Sequence, residues 1–345
     1  MRIAQVAPLH EAVTPDASGV LRSIFHLTEA LVAAGHEVTL FASGDSQTSA
    51  RLVALCPKAT AQVSHAKQLL AVGTVTKSAK DFDVLHWHSG PLHFPSSALA
   101  DYVHVTTVHD EMSQPGDDSL YNHFRELPLV AVAARQRRTQ PTAGWIDTIP
   151  YGVSGSYYTV GRGNGNYIAA IGNVVTQEMT QVATRTGLSL KLLTDKAGTA
   201  GAATVSFKTT AERAAFLSDA VAVMCPATAL DPVTSLYAVE AAACGAPVIA
   251  YENTPTASII EKGKNGLIVR NTEHAADAVF SLRRFDRRRC RAYFEATLSA
   301  SLMAERYVKV YNTVKVEKRK TFFRNVPHQV GSTLERALIE AATRN

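Results

Sequence analysis

The chain is short of several things, and each shortage removes a class of protein. Its 345 residues hold only four cysteines, Cys56, Cys225, Cys244 and Cys290, with no C-x-x-C spacing. That argues against a disulfide framework or a cysteine zinc site and suits packed, reduced thiols in a cytoplasmic protein. No apolar run approaches the ~18 residues that mark a membrane-spanning helix. Met1 to Pro8 carries one basic residue and a short apolar run, which reads as a first strand rather than a secretory leader. Charged residues make up 19% of the chain against 46% hydrophobic, with a net charge of +5. This is the composition of a globular protein, too long for one ordinary core and suited to two domains. No nucleic-acid fold signature is present, so no nucleic-acid partner is expected. His86, His88 and His109 fall near predicted strand ends, but no H-x-x-x-H spacing accompanies them, and no metal is expected.

What is present is a repeated alternation of apolar runs and amphipathic stretches. Arg2–Ala7 is a predicted strand, Leu21–Ala34 a helix stopped by Gly35, and Glu37–Ala42 the next strand. Further strands are expected at Asp83–Trp87, His104–Val108, Leu129–Ala133 and Trp145–Val153. Ser154 to Asn166 then reads as a linker, with glycines at 155, 161, 163 and 165. A second series follows, with strands at Tyr167–Ile171, Leu188–Leu193, Thr204–Phe207, Val221–Met224, Pro247–Ala250 and Leu267–Val269. Its helices are expected at Thr176–Thr186, Ala211–Ser218, Leu236–Cys244 and Ala275–Leu282, and Arg287–Tyr311 is helical in pattern. The expected fold is α/β: two Rossmann-like, doubly wound parallel-sheet domains facing across a cleft. The divisions are 1–155, 156–305 and a C-terminal helical segment 306–345. The cleft is the expected site.

The stretch that organises the chain is Ala229 to Tyr251, A-L-D-P-V-T-S-L-Y-A-V-E-A-A-A-C-G-A-P-V-I-A-Y. Thr234 or Ser235 is placed to cap a helix, Gly245 to stop it, and Val248–Ala250 to enter a buried strand. The amides of Thr234, Ser235 and Leu236 at the helix start suit a phosphate. Glu240 lies five residues beyond Ser235, roughly 7–8 Å along the axis, a reach that suits a ribose or sugar hydroxyl. An ordinary helix with a surface glutamate fits that spacing equally well.

These residues resemble the donor-site signature of the family-4 retaining glycosyltransferases, whose fold is GT-B. Leu236, Glu240, Ala241, Ala243, Cys244, Gly245, Pro247, Val248, Ile249 and Ala250 match its motif, and Glu261 to Val269 matches the E-x-G-x-x-G-x-x-V downstream. In the loop before the first helix the family carries G-G-x-x-R; Gly19 and Arg22 fit it, and Ser18 replaces the first glycine. His109 matches the histidine that follows a T-x-H strand and faces the donor sugar. The resemblance implies a hexosyltransferase that takes a nucleotide-sugar as co-substrate, needs no metal or other cofactor, and returns its C-terminal helix to the first domain. It implies Glu240 and His109 as catalytic residues. Gly172, Asn173, Asp231, Thr234, Ser235 and Leu236 would bind the donor with Glu240. Ser18, Gly19, Arg22, His86 and His88 would line an acceptor or diphosphate loop. The acceptor could be a polysaccharide, a lipid-linked glycan or a small molecule.

The departures are as informative. The family's G-R-x-x-x-x-K-G neutralises the diphosphate leaving group; here Asn173 stands for the arginine and Glu178 for the lysine. The first glutamate of the family's pair is replaced by Pro232, with Asp231 one residue earlier. An active enzyme would need another cation, with Arg22, Lys196 and Lys208 as candidates. The alternative is a non-catalytic GT-B protein that binds a glycan, a nucleotide or a partner subunit. Basic clusters at Arg135–Arg138, Arg283–Arg291 and Lys315–Arg324 suit solvated helix faces or a peripheral contact with the inner membrane surface.

Overall fold

The computed structural model describes residues 1–172, 174–194 and 204–325, with side chains to residue 318. Two parallel sheets organise it. The first runs in the order β3-β2-β1-β4-β5-β6-β7. Its strands are β1 (Arg2–Val6), β2 (Glu37–Ser43), β3 (Arg51–Cys56), β4 (Val84–Trp87), β5 (His104–Val108), β6 (Leu129–Ala131) and β7 (Trp145–Thr148). The second runs β10-β9-β8-β11-β12-β13. It is built from β8 (Tyr167–Ile171), β9 (Ser189–Leu193), β10 (Thr204–Val205), β11 (Ala222–Cys225), β12 (Val248–Tyr251) and β13 (Gly266–Val269). Strand order reverses between β1 and β4 in one sheet and between β8 and β11 in the other. Such reversals open a crevice at the carboxyl ends of the strands.

The central strands follow from their composition. Every residue of β4, β5, β8, β11 and β12 is buried, as helices on both faces require of apolar parallel strands. Each buried Val, Leu or Ile contributes about 1.5–3 kcal/mol relative to exposure. Local chemistry fixes the helix ends. Thr209 accepts from the Glu212 amide while the Glu212 carboxylate takes the Lys208 and Thr209 amides, a reciprocal cap that starts the Thr210–Asp219 helix. Gly245 stops the Thr234–Ala243 helix at φ +70°, and a Cβ there would stand 2.7 Å from the Arg287 carbonyl oxygen. No other residue satisfies both conditions.

The predicted helical stretch Arg287–Tyr311 is two helices, Arg287–Thr297 and Ala300–Asn325. The break falls at Leu298 and Ser299, where the chain crosses between domains and the Ala300 amide donates to the Val153 carbonyl. The second helix returns to the first domain, as the fold requires. Tyr307 and Tyr311 enter the core beside Ile3, Leu31, Val84 and Val105. Arg306 pairs with Asp147 at 3.0 Å and Lys315 with Asp83 at 3.3 Å. Among the described residues no helix is long and apolar enough to cross a membrane.

Candidate active site

The start of the Thr234–Ala243 helix differs from the expectation. Neither Thr234 nor Ser235 caps it: their hydroxyls donate backwards to the Asp231 and Pro232 carbonyls at 2.7 and 2.6 Å. The N-cap position is Val233 and no side chain caps the helix; just before it, Asp231 Oδ1 accepts from the Val233 amide at 2.9 Å. The Thr234, Ser235 and Leu236 amides donate to the carbonyls of Asp231, Pro232 and Val233, each at 3.0 Å. A tight turn therefore consumes the three donors expected to cradle a diphosphate, and it places a carboxylate at the same point. The physical cause is Pro232: it offers no amide and directs the preceding turn into the helix.

Glu240 likewise departs from the expectation, in its surroundings rather than in its place on the helix. It is fully buried, with no exposed side-chain surface. Arg22 of the first domain approaches its Oε1 at 2.9 Å and Arg213 of the second approaches Oε2 at 3.2 Å. The Tyr158 hydroxyl donates to Oε1 at 2.6 Å. Arg22 also donates to the Ala17 carbonyl, and its guanidinium lies 5.4 Å from the Tyr237 ring centre. Burial pushes the Glu240 carboxyl upward, but Arg22, Arg213 and the Tyr158 bond outweigh it and hold it below its ordinary value. Both oxygens are occupied, so the expected ribose contact is not offered by this arrangement. Arg22, for the same reason, is not a cation held ready for phosphate. The cluster joins the domains: Arg213 binds Thr210, whose amide and hydroxyl reach Asp16 and Pro15 of the first domain. Gly19 completes the seam at φ +38°, where a Cβ would stand 3.0 Å from Val233. Ser18 closes the loop by donating its amide and hydroxyl to the Glu11 carboxylate.

The histidines form a directed chain. His88 Nε2 lies 2.6 Å from Gln5 Oε1, which can only accept, so Nε2 carries the proton. Burial, with His86 and His109 adding, holds His88 neutral, so its Nδ1 accepts from His109 Nε2 at 3.0 Å. His109 is neutral too, its pKa lowered by burial to about 3, and its Nδ1 accepts from the Tyr151 hydroxyl at 3.0 Å. Onward from Gln5 the chain passes Tyr311, His86, Thr107 and Tyr307, with contacts of 2.7–3.1 Å. The C-terminal helix thus sets the tautomers of the first domain's strand-end histidines. With both ring nitrogens engaged, His109 is a fixed neutral wall rather than a proton carrier. His86 is buried in this chain and does not line the cleft pocket.

That pocket, about 240 Å³, lies between the domains. His10, Val20, His88, His109 and Asp110 border it from the first domain, and Asp231 and Val233 from the second. No lysine or arginine lines it among the described residues. Desolvation in the cleft, then Asp117 and Asp231, raises the Asp110 pKa. Glu178 lies beside the Tyr251 hydroxyl rather than on the pocket wall. Lys208 is exposed and off the wall. Gly172 directly follows β8, while Asn173 and Lys196 lie outside the described residues. Among the described residues no group of three His, Cys, Asp or Glu side chains is arranged to hold a metal ion.

Sequence reasoning brought His88, His109, Asp231 and the Gly19 loop to this seam and missed Tyr158, Arg213, Tyr151 and Gln5. Arg213 carried a signal, being an arginine on an apolar helix face. The others carried none.

Comparison with known proteins defines the class. Residues 17–146 match the family model described as Glycosyltransferase Family 4, and residues 168–284 match Glycosyl transferases group 1. The chain resembles sucrose-phosphate synthase from Thermosynechococcus elongatus, with a TM-score of 0.68 at 15% identity over 92% of this chain and 99% of that one. It resembles Anabaena HepE, solved in complex with UDP and glucose, with a TM-score of 0.67 at 14% identity over 91% and 100%. It resembles AviGT4, a glycosyltransferase involved in avilamycin A biosynthesis, with a TM-score of 0.65 at 18% identity over 91% and 98%. A search of curated proteins returned no match. The fold is GT-B, and the protein is a glycosyltransferase.

Proposed function

We propose that the protein transfers a hexose from a nucleoside-diphosphate sugar to an acceptor hydroxyl, with retention of anomeric configuration. The observation that carries the reading is the interdomain pocket, where the ends of β4 and β5 face the start of the Thr234–Ala243 helix. Anabaena HepE, which shares the fold, is solved with UDP and with UDP-glucose. In this reading the sugar lies against His109 and Asp110, and the leaving diphosphate lies toward the second domain.

The chain's own residues set the chemistry. The Tyr151–His109–His88 chain holds a neutral, immobile surface where positive charge develops at the sugar, without adding charge of its own. Asp110 accepts a sugar hydroxyl. Retention follows if the diphosphate oxygen, on the face it leaves, takes the acceptor's proton. Asp231 opposes a diphosphate, so a cation must offset it, and Lys196 is the candidate carried by the sequence. The Glu240 cluster acts at a distance, by holding the domains in register.

The test is a panel of nucleoside-diphosphate sugars, monitored for nucleoside diphosphate release with and without acceptors, and for product anomer by NMR. Release with an α-linked product from an α-donor supports the reading. A β-linked product sinks retention, and no release from any donor sinks the donor class.

A further inference from the structure

A second cavity, in the first domain, lies beside the cleft pocket and not within it. It encloses about 660 Å³ at the carboxyl ends of β1, β3 and β4, under the His65–Lys77 helix. This is the reversal point of the first sheet, where doubly wound sheets bind ligands. It shares Pro8, His10, Gly90 and Pro91 with the cleft pocket, so the two spaces adjoin.

Its lining is unlike a saccharide site. Val6, Leu9, Leu55, Val72, Trp87 and Leu92 supply most of the wall, and among the described residues no Asp, Glu, Lys or Arg lines it. Its polar side chains are His10, Gln62, Gln68 and Ser89. A polysaccharide presents hydroxyls in every direction, and burying them against this wall would leave them unpaired. An apolar body gains on burial there. The volume lies in the range of sites for drug-sized molecules.

Two further features agree. Trp87 is buried, and its indole N–H has no hydrogen-bond partner among the described residues. That N–H has no exposed surface, so a ligand oxygen reaches it only when the wall shifts. The covering helix is loosely packed: of its thirteen residues only Val75 is buried, while Leu69 and Leu70 are 57% and 71% exposed. A helix with so little core beneath it can adjust to an occupant.

We propose that the acceptor is a hydroxyl on a neutral, apolar body, aryl or alkyl, seated in this cavity, with its nucleophilic oxygen passing His10 into the cleft pocket. The proposal rests on the transferase reading and names the acceptor class for it. An apolar acceptor can come from solution or from a bilayer, and the experiment has an arm for each.

The probe is N-phenyl-1-naphthylamine, a neutral dye whose emission rises in apolar sites, titrated into the full-length protein. The expected result is saturable binding that weakens at least tenfold in Ala71→Trp, which fills the cavity. Circular dichroism checks folding, and Gln68→Trp replaces Ala71→Trp if that variant does not fold. UDP binding, followed by calorimetry, should be the same in wild type and variant. The dye should be displaced by 1-naphthol or by octyl glucoside micelle-free monomer, and not by maltopentaose. Displacement by naphthol alone points to a compact soluble acceptor; displacement by the alkyl chain, with flotation on phosphatidylcholine vesicles lost in Leu69→Ser/Leu70→Ser, points to a bilayer lipid. Absence of dye binding, binding unaffected by both fillings, or displacement by maltopentaose overturns the proposal. Because dye binding needs no turnover, its failure is separable from failure of the donor reading.

Discussion

Replacing Glu240 with glutamine separates a domain clamp from a donor ligand. The change keeps side-chain volume and removes the one negative charge between Arg22 and Arg213, both buried. His26, lowered to about 3 by burial and then by these two arginines, already registers the positive field. Breaking a buried ion pair from one side costs about 3–5 kcal/mol, because the partner charge stays buried and unpaired. Against a total stability of about 5–15 kcal/mol, that is a large fraction. Arg22→Met is the control. It leaves Glu240 and Arg213 as a neutral pair, so its cost should be smaller than that of Glu240→Gln, although it deletes the larger side chain. The assay is urea unfolding at pH 7.5, with UDP affinity measured on the same samples. If Glu240→Gln shifts stability by less than about 1 kcal/mol while weakening UDP binding, the carboxylate serves the nucleotide and the clamp assignment is wrong.

Other consequences follow from the same geometry. Burial lowers the pKa of His26, His86, His88, His93, His104 and His109. The unfolded chain therefore binds more protons than the folded one below the ordinary value of 6.5, and stability falls as pH drops through it, by about 1.4 kcal/mol per pH unit for each histidine charged on unfolding. Urea midpoints at pH 7.5 and 5.5 should differ clearly; equal midpoints would refute buried neutral histidines. Asp231→Asn keeps an oxygen to accept from the Val233 amide and removes a charge from the pocket. It should tighten UDP binding by about 1 kcal/mol, some fivefold, with little change in melting temperature; calorimetry showing unchanged or weaker binding would place the diphosphate elsewhere. Gly19→Ala adds a Cβ at φ +38° against Val233, and should destabilise the domain seam by about 1–3 kcal/mol, read as a lowered thermal midpoint; an unshifted midpoint would mean the seam yields easily.

The fold was legible because its strands are short apolar runs buried on both faces, bounded by glycine and proline. β3 and the His65–Lys77 helix were not, since β3 is a half-exposed edge strand and the helix buries only Val75. At the site, spacing located the helix but not the direction of its groups. Glu240 follows the helical period expected, yet whether it meets solvent or Arg22 depends on a residue 218 positions away. Asp231 was noticed as an offset carboxylate, but its bond to the Val233 amide depends on Pro232 closing the turn. Tyr158 looked like linker in a glycine-rich run, and only the fold carries its hydroxyl to Glu240. Charge pairing across domains has no local signature, which is why the seam was the least readable part.

The central claim is that this cleft transfers sugar from a nucleoside-diphosphate donor although no lysine or arginine lines its pocket among the described residues. The most direct measurement is calorimetric titration of a panel of nucleoside diphosphates, UDP among them, and their sugars into the wild-type protein, followed by detection of nucleoside diphosphate released from the sugar that binds in the presence of 1-naphthol. The account predicts saturable binding of one nucleoside diphosphate and its sugar, and release that falls at least tenfold in Asp110→Ala while binding of the nucleoside diphosphate persists. Absence of binding by UDP and by the other nucleoside diphosphates tested in the same way, or release unchanged in Asp110→Ala, would contradict it.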